Sequence, residues 1–243
     1  MIDFMWVQVA WVSGVLVIAS TIQGVAGFGF MLVAVAGLIQ IYPAQLVVSG
    51  LALVYIPLGL AQTFQVRKQI DIPMLRIWSI SALVGMLPGT LILLTFDTVT
   101  MKRGIGLVMI VLAVLLRIRP GEPFLREQWA RIGAGILSGV LGASTSVAGP
   151  PIVLIGIKQK WAVEPFRATL LAYFTVLSVV IVGCHTWFGI VTVDTVWWAA
   201  GGLPGIALGF LTATWMRGVV NDENFRQLGV GLVLAGGVLA LVL

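Results

Sequence analysis

Apolar residues run through this chain in stretches too long and too uniform for the one-sided stripe of a surface helix. They fall near residues 4–41, 44–65, 73–95, 103–118, 130–157, 165–186, 190–216 and 225–243. Runs of about 20 apolar residues predict helices that cross a bilayer. Two runs do not fit a single crossing. Residues 4–41 would make roughly 57 Å of helix, nearly twice the ~30 Å hydrocarbon core. Residues 130–157 carry Gly142-Ala143-Ser144-Thr145-Ser146-Val147-Ala148-Gly149-Pro150-Pro151 at their middle, which an unbroken helix disfavours. The first run holds Gln23-Gly24-Val25-Ala26-Gly27-Phe28-Gly29-Phe30 in the matching place. Both are expected to be hairpin tips.

An internal duplication links the two. Leu87-Pro88-Gly89, with Gly85 before it, recurs as Leu203-Pro204-Gly205 with Gly201; Pro43 matches Pro165, and Gly106-Leu107-Val108 matches Gly231-Leu232-Val233. The reading is an all-α integral membrane protein of two inverted-topology repeats, each a broken, re-entrant hairpin helix plus three transmembrane helices. Residues 1–119 form the first repeat, 130–243 the second, and 120–129 a cytoplasmic loop between them.

Composition supports a membrane home. Charged residues are 9% of the 243 and hydrophobic ones 60%, against about 25% and 45–50% in soluble domains. The net charge of +5 comes from 14 Lys and Arg scattered between apolar stretches, so it reads as topology and not as a nucleic-acid surface. If both odd runs turn back, Arg67, Lys68, Arg76, Arg117, Arg119, Arg126, Arg131, Lys158, Lys160, Arg167, Arg217 and Arg226 lie inside, and only Lys102 and Arg103 outside. That split favours hairpins, an inverted second repeat and both termini outside, periplasmic in a bacterial inner membrane. The start, Met1-Ile2-Asp3-Phe4, lacks the basic region of a signal peptide, so the first run is expected to be retained.

The chemistry is sparse. One cysteine, Cys184, and one histidine, His185, give no disulfide and no metal-site spacing. No metal or cofactor is expected, and no enzyme. All nine acidic residues fall at loops or span ends, which disfavours proton and cation pathways built on buried carboxylates. An anion fits better. Ser144, Thr145 and Ser146 are candidate hydroxyl donors, and the helix start at Gly149-Pro150-Pro151 a candidate source of free N–H groups and positive dipole. Gln23 brings an amide, Gly24, Gly27 and Gly29 an open backbone, and Phe28 and Phe30 a wall. Gly85, Gly89, Gly201, Gly205 and Gly209 are expected to serve helix packing. His185 is expected at headgroup level, the tryptophans in an aromatic belt, and Arg167 either at lipid phosphates or in an inner vestibule that attracts anions.

With these residues in place, the chain resembles the TauE/SafE family of sulfite exporter-like membrane proteins. The resemblance rests on the two tip motifs followed by Phe166-Arg167-Ala168-Thr169-Leu170 and Phe174, and it covers essentially the whole chain. The first motif is less glycine-rich than the family form, and Ala36 stands where many members carry proline. The resemblance implies transport of a small sulfur-containing anion, such as sulfite or an organosulfonate like sulfoacetate, with binding residues Gln23, Gly24, Gly27, Phe28, Gly29, Ser144, Thr145, Ser146, Gly149 and Pro150. The partners expected are that small anion and the lipid bilayer; a homodimer is one open oligomeric arrangement. An anion channel and an importer are the alternatives to an exporter.

Overall fold

The structure is a computed structural model that describes residues 2–26, 29–115 and 124–216; Gly27, Phe28 and the run 225–243 lie outside the described residues. Every described element is helical: α1 (Ile2–Ala26), α2 (Phe30–Leu38), α3 (Ala44–Val66), a single 3-10 turn at Arg67–Gln69, α4 (Ile72–Thr95), α5 (Thr98–Leu115), α6 (Glu127–Thr145), α7 (Gly149–Lys158), α8 (Val163–Trp187) and α9 (Val193–Met216). Among them α3 with its 3-10 turn, α4, α8 and α9 are long and apolar enough to cross a membrane. This is an all-α membrane protein.

Each of the two odd runs divides into a long and a short helix. At the second break Ser146 sits at φ 62°, and its N–H bonds the Gly142 carbonyl at 3.0 Å, closing α6. A left-handed non-glycine residue costs roughly 1–2 kcal/mol. The Ser146 hydroxyl offsets part of that by donating to the Val48 carbonyl of α3 at 3.0 Å. At the first break Gly29 takes φ 104°, where a side chain would be strained. Each segment then doubles back along itself. The Trp11 indole reaches back to the Gly37 carbonyl at 3.1 Å. Glu127, at the start of α6, accepts from the Trp161 indole beyond α7 at 2.7 Å.

Two seams of small residues hold the hairpins to the long helices. Gly85 and Gly89 of α4 face backbone atoms of Ile136 and Val140 on α6, and Gly139 faces the backbone of Ala82 so closely that a Cβ would collide. The second seam packs α1 on α9, where Gly205 and Gly209 lie against the Ser13 and Val17 carbonyls. Gly201 corrects the expectation: a Cβ there would meet nothing, and its neighbour Gly202 faces Leu16 instead. Positions 202, 205 and 209 share one helical face, and residue 201 lies roughly 100° away from 202. α3 and α8 pack against each other between the seams, while Phe64, Ile80, Val84 and Leu211 turn outward to lipid. In lipid such seams rest on van der Waals contact and close backbone approach, because apolar surface gains nothing by leaving apolar solvent.

Polar contacts identify two ends of the molecule. At one, the Asp71 N–H donates to Thr169 Oγ1 at 2.9 Å and the Phe124 N–H to Gln159 Oε1 at 2.8 Å. This end gathers Arg67, Lys68, Arg76, Arg126, Arg131, Lys158, Lys160 and Arg167. At the other, the Lys102 ammonium donates to the Gln40 carbonyl and the Gln45 amide to the Leu93 carbonyl, and Arg103 follows Lys102. Trp129, Trp187, Trp197 and Trp215 are exposed near the two ends, as a belt requires. Trp78 is not among them. It is fully buried, ringed by Trp161, Phe166 and Tyr173.

Candidate functional site

The two breaks line one cavity. Gln23, Gly29 and Phe30 from the first tip meet Ser146, Gly149 and Pro150 from the second across one cavity, flanked by Ala52 and Tyr55 of α3 and by Phe174, Leu177, Ser178 and Ile181 of α8. Non-helical backbone in the apolar layer needs such surroundings, protein or a wet cavity, to satisfy its polar groups.

Gln23 organises the first tip. Its Nε2 donates to the Tyr55 hydroxyl oxygen at 2.7 Å and to Gln62 Oε1 at 2.8 Å, while its Oε1 accepts the Phe30 N–H at 3.2 Å. One amide therefore ties the end of α1 to the start of α2 and to α3. The second tip is propped from behind. Tyr173 donates to Ser138 Oγ at 2.7 Å, and Ser138 donates to the Ala148 carbonyl at 2.6 Å.

The hydroxyls of the second motif do not act as a trio. Ser144 donates to the Val140 carbonyl and Thr145 to the Leu141 carbonyl, both at 2.7 Å and one turn back in α6; neither lines the cavity, and only Ser146 does. Mid-helix Ser and Thr commonly spend their proton this way. The start of α7 is also a poorer cradle than its position suggests. Pro150 and Pro151 have no N–H, and the Ala148 N–H bonds the Ser146 carbonyl at 3.2 Å. Gly149 is then the one residue of that first turn with an N–H to offer. Its Cα faces Phe174, whose ring a Cβ would press at 3.2 Å.

The donors that do face the cavity come from elsewhere. Tyr55 accepts from Gln23 through its oxygen, so its own proton is uncommitted among the described residues. Ser178 is a buried residue that lines the cavity, with its hydroxyl in no hydrogen bond seen among the described residues. The first turn of α2 contains no proline, and the N–H groups of Met31 and Leu32, both cavity residues, have no acceptor within the helix. Among the described residues the lining holds neither carboxylates nor basic side chains.

Gly24 and Arg167 lie just off the cavity. A Cβ on Gly24 would collide with that of Ala213, so this glycine admits α9 against α1. The Gly24 and Val25 carbonyls accept from Arg167 Nη2 at 3.1 and 3.3 Å, a cation on the end of α1 where the helix dipole favours it. Arg167 belongs to a second pocket at the basic end.

A family model described as sulfite exporter TauE/SafE matches residues 12–240. The chain belongs to that family. No curated relative and no solved structure matches it. Membership makes this TauE/SafE chain a multi-pass membrane protein of a sulfur-anion transporter family. The match contains both tips, the seams and the α3–α8 pair.

His185 departs from the sequence expectation within this TauE/SafE frame. It is fully buried, with Nδ1 2.9 Å from Ser49 Oγ, while Trp187 is 88% exposed. Two residues are roughly 200° apart around a helix, so a headgroup-level tryptophan leaves its neighbour His185 facing α3. Sequence reading also passed over Tyr55, Gln62 and Ser178. All three sit inside long apolar runs, where the one available signal is a polar residue in mid-span.

Proposed function

We propose that the protein is a secondary transporter that exports a small sulfur-containing anion, sulfite or an organosulfonate such as sulfoacetate, from a bacterial cytoplasm by alternating access. The observation that carries this reading is the convergence of both tips on one cavity whose free polar groups are donors. Tyr55, Ser178 and the first turn of α2 replace the anion's water with hydrogen bonds. Charge-assisted bonds of this kind are worth about 1.5–3 kcal/mol each. A lining without carboxylates does not repel the anion, and one without lysine or arginine does not hold it too tightly to release.

Two inverted repeats are the architecture behind this reading. Exchanging α1 with α6, α2 with α7, α3 with α8 and α4 with α9 turns each seam into the other and leaves the α3–α8 pair unchanged. The end that gathers the basic residues is then the cytoplasmic one, with the chain's two ends on the opposite, periplasmic side. Contacts stand on both sides of the cavity along α3 and α8. Ser49 and His185 close it outward, and Gln23 with Gln62 closes it inward; alternating access opens one while the other holds.

Export needs no coupling ion in this scheme, since an anion leaving a negative-inside cell gains about 2.3 kcal/mol per charge per 100 mV. The test is sulfite flux from proteoliposomes as a function of membrane potential and concentration. Saturable efflux that accelerates with negative-inside potential, and trans-stimulation by external sulfite, are expected. Flux indifferent to potential overturns electrogenic export, and non-saturating flux without exchange overturns alternating access in favour of a channel.

A further inference from the structure

The second pocket lies at the basic end, between the last turns of α3 and the first turn of α8. Its polar groups are Gln62, Gln65, Gln69, Glu164 and Arg167. Three observations single it out. Arg167 engages the Gly24 and Val25 carbonyls through Nη2 alone, and among the described residues its Nη1 and Nε have no partner. Gln62 lines the pocket at 1% exposure, and its Nε2 is buried without a hydrogen bond. Gln62 also binds Gln23 at 2.8 Å through its other amide atom, and Gln23 lines the central cavity. One pair of amides therefore stands between the two spaces.

We propose that this pocket is a second oxyanion site, in which Arg167 and the amides of Gln62, Gln65 and Gln69 receive the anion on the cytoplasmic side before it passes Gln23. The inference rests on the transport reading and assigns that transporter an entry site. A guanidinium suits an oxyanion because its planar fork donates two parallel bonds. Here the same guanidinium already holds the last carbonyls of α1, so an anion taken up by Nη1 and Nε is bound directly against the first tip. The buried Gln62 amide gains its missing acceptor as the anion moves inward, and its bond to Gln23 is the one that must yield. Glu164, on the rim of the same pocket, opposes the anion and tunes its affinity downward.

Equilibrium binding of radiolabelled sulfite to the full chain in lipid-free detergent tests this. The wild type is expected to bind two anions per chain, and Arg167→Gln one. Gln65→Glu, which adds repulsion at an exposed position and leaves the α1 contact intact, is expected to weaken one class of sites by about tenfold, and Glu164→Gln to tighten that same class. In oriented proteoliposomes Arg167→Gln raises KM from the cytoplasmic face by about tenfold and leaves the opposite face within about twofold. Equal changes at both faces, or one anion per wild-type chain with no response to Gln65→Glu, overturn the entry site while the central site stands. Displacement of the second anion by added phosphatidylglycerol assigns the pocket to a lipid phosphate and overturns it as well. Absence of any sulfite from the wild type refutes the transport reading itself.

Discussion

At the scale of single residues, hydroxyls that face the cavity differ from hydroxyls that merely sit near it. Tyr55→Phe and Ser178→Ala each remove a donor free to meet the anion. Each is expected to raise the KM for sulfite about tenfold, the worth of roughly one charge-assisted hydrogen bond. Ser144→Ala and Thr145→Ala remove hydroxyls that bond their own helix, and are expected to leave KM within about twofold. Uptake assays on the four variants decide between this assignment and a hydroxyl trio. The motif Ser144-Thr145-Ser146 was conspicuous in the sequence because it interrupts an apolar run. Which of its hydroxyls turns inward depends on the 62° φ at Ser146, a feature that no spacing encodes. The proline pair misdirected the sequence reading in the same way. It marked the helix start correctly, but it removes the donors that such a start otherwise presents, and the cradle passes to α2.

At the scale of elements, the seams make opposite predictions for glycines that look alike in sequence. Gly139→Ala places a methyl group against the Ala82 backbone and is expected to cost about 1–3 kcal/mol as α4 and α6 are pushed apart. Gly201→Ala meets nothing and is expected to be neutral, or to stabilise by up to about 1 kcal/mol through helix propensity. Melting temperatures in detergent give the comparison. The base of the second hairpin is closed by Glu127, which binds the Trp161 indole and pairs with Arg131 at 2.6 Å. Burial alone would raise the Glu127 carboxyl; the indole and guanidinium outweigh it and hold the group below its ordinary 4.5. A carboxylate lowered on folding contributes stability above its unfolded value and loses it as pH falls through the folded one. The wild type is therefore expected to lose more stability than Glu127→Gln on acidification below about pH 4.5, read as the difference in melting temperature between the two proteins. Helices were the legible part of the sequence, since run length and glycine-proline punctuation are local. Facing was not: Gly201 against Gly202, Trp78 in the core instead of the belt, and His185 behind Trp187 all turn on rotation about a helix axis, which partners set and composition does not.

At the scale of the whole molecule, scarce charge is distributed so that each charge has a place. Eight of the described basic residues collect at one end, two at the other, and none enters the cavity between the tips. On the proposed reading Arg167 is an attractive mouth and the cavity a neutral middle, an order suited to drawing an anion in without trapping it. On the proposed reading the anion rests between the two tips, held by Tyr55, Ser178 and the first turn of α2. The most direct test of that reading is the anomalous scattering of selenite, the heavier analogue of sulfite, in crystals of the protein. A peak is expected in the central cavity within hydrogen-bonding distance of the Tyr55 and Ser178 hydroxyls. An empty central cavity in a protein that transports selenite would contradict the reading.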